Sequence, residues 1–168
     1  MKNKIRIGIS SCLLGEKVRY DGGDKLDVYI MENLGKHASF VPVCPETECG
    51  MPTPREPMRL TGDPAAPRLV TVNTKLDFTE KLSAWAKKRV AELEKENLSG
   101  FVLKSRSPSC GIRGVEVSCE DDVPAKIGTG IFAKILTDKF PALPVEEEVN
   151  LHGPGAVEKF LSLLFPSP

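Results

Sequence analysis

The stretch Ile5-Arg6-Ile7-Gly8-Ile9-Ser10-Ser11-Cys12 decides the fold. Apolar residues at 5, 7 and 9 alternate with a charge and a glycine, the two-residue period of a strand with one face on a core. The run stops at two serines and a cysteine, and Leu13-Leu14-Gly15 carries the chain into a tight loop. The same pattern recurs twice. Ser39-Phe40-Val41-Pro42-Val43 leads to Cys44, and Gly100-Phe101-Val102-Leu103-Lys104 leads through Ser105-Arg106-Ser107-Pro108-Ser109 to Cys110. In parallel α/β sheets the functional loops gather at the carboxyl ends of strands. Three cysteines placed just past such ends are expected to share one three-thiolate site, although they are far apart in sequence.

Helical patterns separate the strands. Leu26, Ile30 and Leu34 recur every four residues, with Asp24 as the expected cap and Gly35 as the stop. The longest helix is expected from Asp77 or Thr79 to about Asn97, with Leu82, Trp85, Ala86, Val90 and Leu93 on its apolar face. Trp85 reads as a core anchor. Gly128-Thr129-Gly130 lacks the third glycine of a dinucleotide loop and reads as the entry to a helix over 131–139. Val157, Phe160, Leu161 and Leu164 mark a terminal amphipathic helix. Further strands are expected over 68–74 and at Pro144-Val145, with a short extended piece at Val115-Glu116-Val117. Between Cys44 and Pro67, six prolines after Cys44 forbid a long helix and argue for an irregular binding loop. The expectation is an α/β chain forming a single three-layer Rossmann-like domain over 1–168, with a mostly parallel sheet.

Composition narrows the function classes. With 40% hydrophobic and 27% charged residues the chain is globular in character. Lys and Arg number 23, as do Asp and Glu, so no net charge draws nucleic acid from a distance. No apolar run approaches a membrane span, and the start has no long apolar region or small-residue cleavage site. A cytoplasmic location is expected, with no evident nucleic-acid or membrane partner. Five cysteines in 168 residues do not make a secreted disulfide framework. In a reducing compartment they are core residues, metal ligands or reactive thiols. Cys119 lies in a polar setting with no assigned role, and His37 and His152 lie in turn-like settings away from the motifs.

Ser11-Cys12-Leu13-Leu14-Gly15, Val18-Arg19-Tyr20-Asp21-Gly22, Val43-Cys44-Pro45-Glu46, Pro54-Arg55-Glu56 and Ser107-Pro108-Ser109-Cys110-Gly111 appear in this order. Together they resemble the thiouracil desulfidase family, as do Gly128-Thr129-Gly130-Ile131-Phe132-Ala133 and Leu143-Pro144-Val145-Glu146-Glu147. Each motif alone is weak; the ordered set, spread over most of the chain, is specific. The resemblance implies an oxygen-sensitive [4Fe-4S] cluster on Cys12, Cys44 and Cys110, with the fourth iron open to a soft thiocarbonyl sulfur. It implies the non-redox desulfuration of a small-molecule thiolated nucleobase such as 2-thiouracil, with oxygen replacing sulfur and sulfide released.

The resemblance also assigns catalytic roles to Glu46, as the carboxylate that activates water, and to Ser107, as a substrate-orienting or proton-relaying hydroxyl. Arg19, Asp21 and Arg55 are candidate substrate-binding residues. Cys49 falls five residues after Cys44; the family correspondence makes it a nonligand, whereas a fourth thiolate would close the site. Two other classes stay open: a noncatalytic zinc or iron–sulfur binding protein, and a cofactor-free cysteine hydrolase, which has no evident His partner near the motifs.

Overall fold

The computed structural model describes residues 4–118 and 124–165. In chain order its elements are β1 (Ile5–Ser10), α1 (Val28–Leu34), β2 (Ala38–Val43), α2 (Pro45–Glu48), β3 (Met58–Thr61), β4 (Arg68–Thr71), α3 (Thr79–Leu93), β5 (Gly100–Leu103), β6 (Val115–Ser118), β7 (Pro124–Gly128), α4 (Ile131–Lys139), β8 (Val145–Glu147) and α5 (Ala156–Leu164). Short 3-10 turns occupy Ser11–Leu14, Glu94–Glu96 and Glu148–Leu151. Cys119 lies outside the described residues.

The alternation in β1 does what its period predicts. Ile7 and Ile9 are fully buried and share a core with Ile30 and Leu34 of α1, Val102 of β5, and Val157, Phe160 and Leu164 of α5. On the other face Gly8 makes room for an aromatic ring: a Cβ there would stand 2.2 Å from Phe101. Phe101 and Leu103 turn to that second side, where Leu82, Ala86 and Leu93 of α3 and Phe132 and Leu136 of α4 complete the larger core. Each fully buried Leu or Phe contributes about 1.5–3 kcal/mol, so these two helix layers supply much of the driving force. Helices, sheet and helices make the three layers. The sheet runs β2-β1-β5-β8 and every pairing is parallel, with Ile9 opposite both Pro42 and Val102. Chain order reverses direction across β1, so the crevice outside its carboxyl end is the topological switch point.

A second sheet, ordered β4-β3-β6-β7, is mixed: β3 pairs antiparallel with β4 and parallel with β6, and β6 pairs antiparallel with β7. It corrects the expectation of an irregular 44–67 segment, which holds α2 and β3. The prolines border these elements rather than interrupt them. Pro45 opens α2, and Pro57 and Pro67 immediately precede β3 and β4, where no central ladder donor is lost. Leu60 and Leu69, both fully buried, pack this sheet into the larger core.

Two boundaries also differ from expectation. Asp27, not Asp24, caps α1 by accepting from the Ile30 N–H at 3.0 Å; Asp24 instead accepts from the Leu26 N–H at 2.9 Å, and Leu26 stays exposed. Asp24 therefore closes a local Asx turn before the helix. The long helix ends at Leu93 and tightens into a 3-10 turn that stops at left-handed Asn97. Trp85 packs against Phe132 with ring centroids 5.6 Å apart, a core anchor as its helical phase implies. Among the described residues no helix is long and apolar enough to cross a membrane.

Candidate active site

The carboxyl ends of all four parallel strands meet at the switch point. At the end of β1 the chain tightens into the 3-10 turn that carries Cys12. Gly15, at φ +87°, closes the turn by donating its N–H to the Cys12 carbonyl at 3.2 Å, a conformation costly for any residue with a Cβ. The same carbonyl accepts from the Lys25 N–H at 2.9 Å, so two donors fix the Cys12 backbone. At the end of β2, Cys44 is the N-cap of α2. Its N–H donates to the Glu48 carboxylate at 2.7 Å, and its carbonyl accepts from the Glu48 N–H at 2.9 Å in the first backbone bond of the helix.

Beyond β5, the Cys110 loop is shaped by Ser107, whose Oγ accepts from the N–H groups of Ser109 at 3.2 Å and Cys110 at 3.0 Å. Arg106, just before it, has φ +61°, uncommon for a residue with a side chain. The loop then caps α4. Gly130, Ile131 and Phe132 donate to the carbonyls of Gly111, Pro108 and Ser109 at 2.8, 3.1 and 2.9 Å. Loop and helix touch so closely that a Cβ on Gly130 would lie 2.5 Å from the Ser109 carbonyl carbon and 2.8 Å from the Cys110 nitrogen. The glycine pair of the sequence therefore enters a helix and seats the third cysteine.

Cys12, Cys44 and Cys110 line one cavity of about 440 Å³, together with Glu46, Arg55 and Ser107. Arg19 is on the wall as well, while Asp21 is not among the lining residues. The Asp21 carboxylate accepts from the Gly23 N–H at 2.9 Å and lies 3.9 Å from Arg19. Cys49 does not line the cavity; its thiol donates to the Glu46 carbonyl at 3.2 Å and its side chain packs on the larger core. His37 and His152 are also absent from the lining; His152 bonds Asp27 at 2.7 Å and stacks on Tyr29.

Arg55 ties the cavity wall together. Its Nε donates to Glu46 Oε2 at 3.1 Å, its Nη2 forms an ion pair with the same oxygen, and Nη2 also donates to the Val18 carbonyl at 2.9 Å. The pair is largely buried, with 7% and 15% of the two side chains exposed. Because Arg55 engages Oε2, Oε1 is left for another partner.

The three thiols resist ionisation on their own. Burial pushes Cys12 up to about 11 and outweighs the opposing charge of Lys104. Burial likewise raises Cys44, against hydrogen bonds from Thr47, and raises Cys110, against the hydroxyls of Ser10 and Ser109. Cys110 is raised further by Cys12 and Cys44, and Cys12 by Cys44, so the three sulfurs feel one another. Among the described residues, no group of three or more His, Cys, Asp or Glu side chains is set to hold a metal ion. The triad is thus spread around a cavity rather than collapsed on one point.

Sequence reasoning missed three residues of this wall and a carboxylate bonded to two of them. Ser10 accepts from the Lys104 N–H at 2.9 Å and so ties β1 to β5. Lys104 and Ser105 line the cavity, and both bond Glu148 at the end of β8. The one signal was positional: Ser10 ends β1, and Lys104 and Glu148 directly follow β5 and β8.

The chain is similar to known proteins in sequence and in fold. A model of the 2-thiouracil desulfurase family matches residues 7–148. The uncharacterized protein YbbK of Bacillus subtilis (strain 168) is 34% identical over 148 residues, covering 84% of this chain and 96% of its own. The solved structure of the [4Fe-4S]-dependent thiouracil desulfidase TudS aligns with a TM-score of 0.76 at 30% identity, over 95% of this chain and 99% of that one. With the ordered motifs at the strand ends and a family match over most of its length, the chain belongs to the 2-thiouracil desulfurase family.

Proposed function

We propose that this protein is an iron–sulfur-dependent desulfidase that converts a thiolated nucleobase such as 2-thiouracil to its oxo form and releases sulfide without net electron transfer. The observation that carries the reading is the convergence of Cys12, Cys44 and Cys110, each from a different strand end, on one cavity that also contains Glu46. The donor set fits the cluster. Soft thiolates suit iron–sulfur centres, and ligands that stand around a cavity suit a multi-iron body better than a single zinc ion. Three thiols desolvated by burial are costly as bare thiolates, a cost that a cationic metal core offsets. TudS, whose structure aligns over nearly the whole chain, is described as [4Fe-4S]-dependent, which supports the same assignment.

When bound on the three cysteines, the cluster supplies a thiophilic Lewis acid for the thiocarbonyl sulfur. The remaining chemistry falls to side chains of this chain. The cavity, at about 440 Å³, lies within the range for small-molecule sites. Glu46, oriented through Oε2 by Arg55, takes a proton from water at Oε1 as the water oxygen adds to the thiocarbonyl carbon. The carbon–sulfur bond then breaks and sulfur leaves as sulfide, so that water and thiobase become oxo base and hydrogen sulfide. Ser107 orients the base, and Arg19 and Arg55 line the same pocket. Asp21 acts on the pocket only through Arg19. Chain 1–168 works as one domain, with an oxygen-sensitive cluster in a cytoplasmic setting.

The test is anaerobic reconstitution followed by a single turnover with 2-thiouracil. Equal amounts of uracil and sulfide support the reading. A loaded protein that binds the thiobase but forms no uracil assigns the chain to the noncatalytic binding class instead.

A further inference from the structure

Lys104 and Glu148 are charged side chains with 18% and 6% exposure, neither of which the proposed chemistry uses. Lys104 follows β5 directly and lines the same cavity as Cys12; Glu148 follows β8 directly, bonds Lys104 and is outside the lining. The ammonium is held from three sides, by Glu148 Oε1 at 2.5 Å and by the carbonyl and Oγ of Ser105 at 3.2 Å each. Glu148 is held as fully: Oε1 also accepts from the Ser105 hydroxyl at 2.8 Å, and Oε2 from the Ser105 N–H at 2.6 Å. A lysine has three N–H donors, and here each has an acceptor. Lys104 is therefore held in place through all three donors.

Burying such a pair is expensive, and replacement by apolar residues is often neutral or stabilising, so stability alone is a weak reason to keep it. Its orientation supplies a better one. With the cation at the cavity wall and the carboxylate outside the lining, the pair is a dipole whose positive end faces the cysteines.

We propose that Lys104, anchored by Glu148, is a positioning residue that imposes a fixed positive field on the thiolate-bound cluster and on the negative charge that gathers there as sulfide departs. The inference rests on the cluster assignment made above. Charge and burial around an iron–sulfur centre set its potential, so the cluster itself reports the field.

The experiment is a redox titration, followed by electron paramagnetic resonance, of the anaerobically reconstituted full chain and three variants. Lys104→Met removes the cation, and its cluster is expected at a more negative midpoint potential than wild type. Glu148→Gln keeps the shape and removes the opposing anion, and its cluster is expected at a more positive one. Opposite signs are what a field produces and a merely structural role does not, and Lys104→Arg is expected to return the midpoint towards wild type. Unchanged potentials, or shifts of the same sign in both variants, overturn the proposal. If Lys104→Met takes up no iron, Glu148→Gln decides alone: a positive shift supports the proposal, and no shift or a negative one overturns it. A wild-type chain that takes up no cluster refutes the cluster assignment instead, so the two failures are distinguishable.

Discussion

Replacing Gly130 by alanine tests how the third cysteine is seated. The new Cβ would fall 2.5 Å from the Ser109 carbonyl carbon, 2.6 Å from its oxygen and 2.8 Å from the Cys110 nitrogen. All three are backbone atoms, so no side chain can swing aside. Reaching ordinary contact at 3.4 Å requires loop and helix to part by about 0.9 Å. The hydrogen bonds joining them are 2.8–3.1 Å long, and an opening of that size takes them past a useful length. Overpacking of this kind costs about 1–3 kcal/mol, and lost hydrogen bonds add about 1 kcal/mol each where water cannot replace them. With three such bonds opened between loop and helix, urea unfolding is expected to show a loss of about 4–6 kcal/mol. Cys110 would be displaced from Cys12 and Cys44, so iron retained after anaerobic reconstitution should fall with it. Gly153→Ala is the matched control, because its Cβ would meet nothing closer than the Ala156 methyl at 4.0 Å. Wild-type stability and iron content in Gly130→Ala would refute the claim that this contact seats the cysteine.

Three further outcomes follow from the same structure. Arg55→Met leaves Glu46 largely buried without its partner and should cost about 3 kcal/mol in urea unfolding, together with most activity, and Glu46→Gln, which leaves the still more buried Arg55 charge unpaired, should abolish turnover at a comparable stability cost. Gly8→Ala pushes a methyl to within 2.2 Å of the Phe101 ring, between β1 and β5, and should lower the thermal midpoint by several degrees. The third concerns acid. The Glu56 carboxyl is held below its ordinary value by the Thr74 hydroxyl and neighbouring N–H groups, and in Asp77 the bonds to Thr79 and Arg68 outweigh the upward pull of burial. A depressed carboxyl contributes stability that is complete above its unfolded value and disappears as pH falls through the folded one. The loss therefore begins near pH 4.5 for Glu56 and 3.8 for Asp77 and continues below, and Glu56→Gln/Asp77→Asn should show a shallower acid limb in denaturation midpoints than wild type.

The parallel sheet was legible because its signals are local. Ile7 and Ile9 alternate with Gly8, and each strand stops at a polar or cysteine-bearing loop, so strand, face and exit could all be read from a few neighbours. The convergence of the three cysteines followed from a rule about strand ends rather than from spacing. The second sheet was hidden because Pro57 and Pro67 masked Met58-Arg59-Leu60-Thr61, whose alternation is plain once the prolines are seen to border it. Lys104, Ser105 and Glu148 were beyond reach for a different reason. Their bonds join residues 43 and 44 positions apart, and charged side chains next to a strand are usually solvated, so nothing local marks this carboxylate as buried. Cys49 shows the converse case: proximity in sequence to Cys44 made it a candidate ligand, while the short α2 turns its thiol back onto the Glu46 carbonyl.

The central claim is that three cysteines, and not Cys49, hold the cluster. Its most direct test is the iron content and Mössbauer spectrum of anaerobically reconstituted Cys12→Ala, Cys44→Ala, Cys110→Ala and Cys49→Ala proteins. The account predicts that Cys49→Ala keeps the full wild-type iron complement, with one iron site distinct from the other three, while each of the other three variants loses the cluster. A Cys49→Ala protein that loses its iron, or a triad variant that keeps both cluster and turnover, would contradict it.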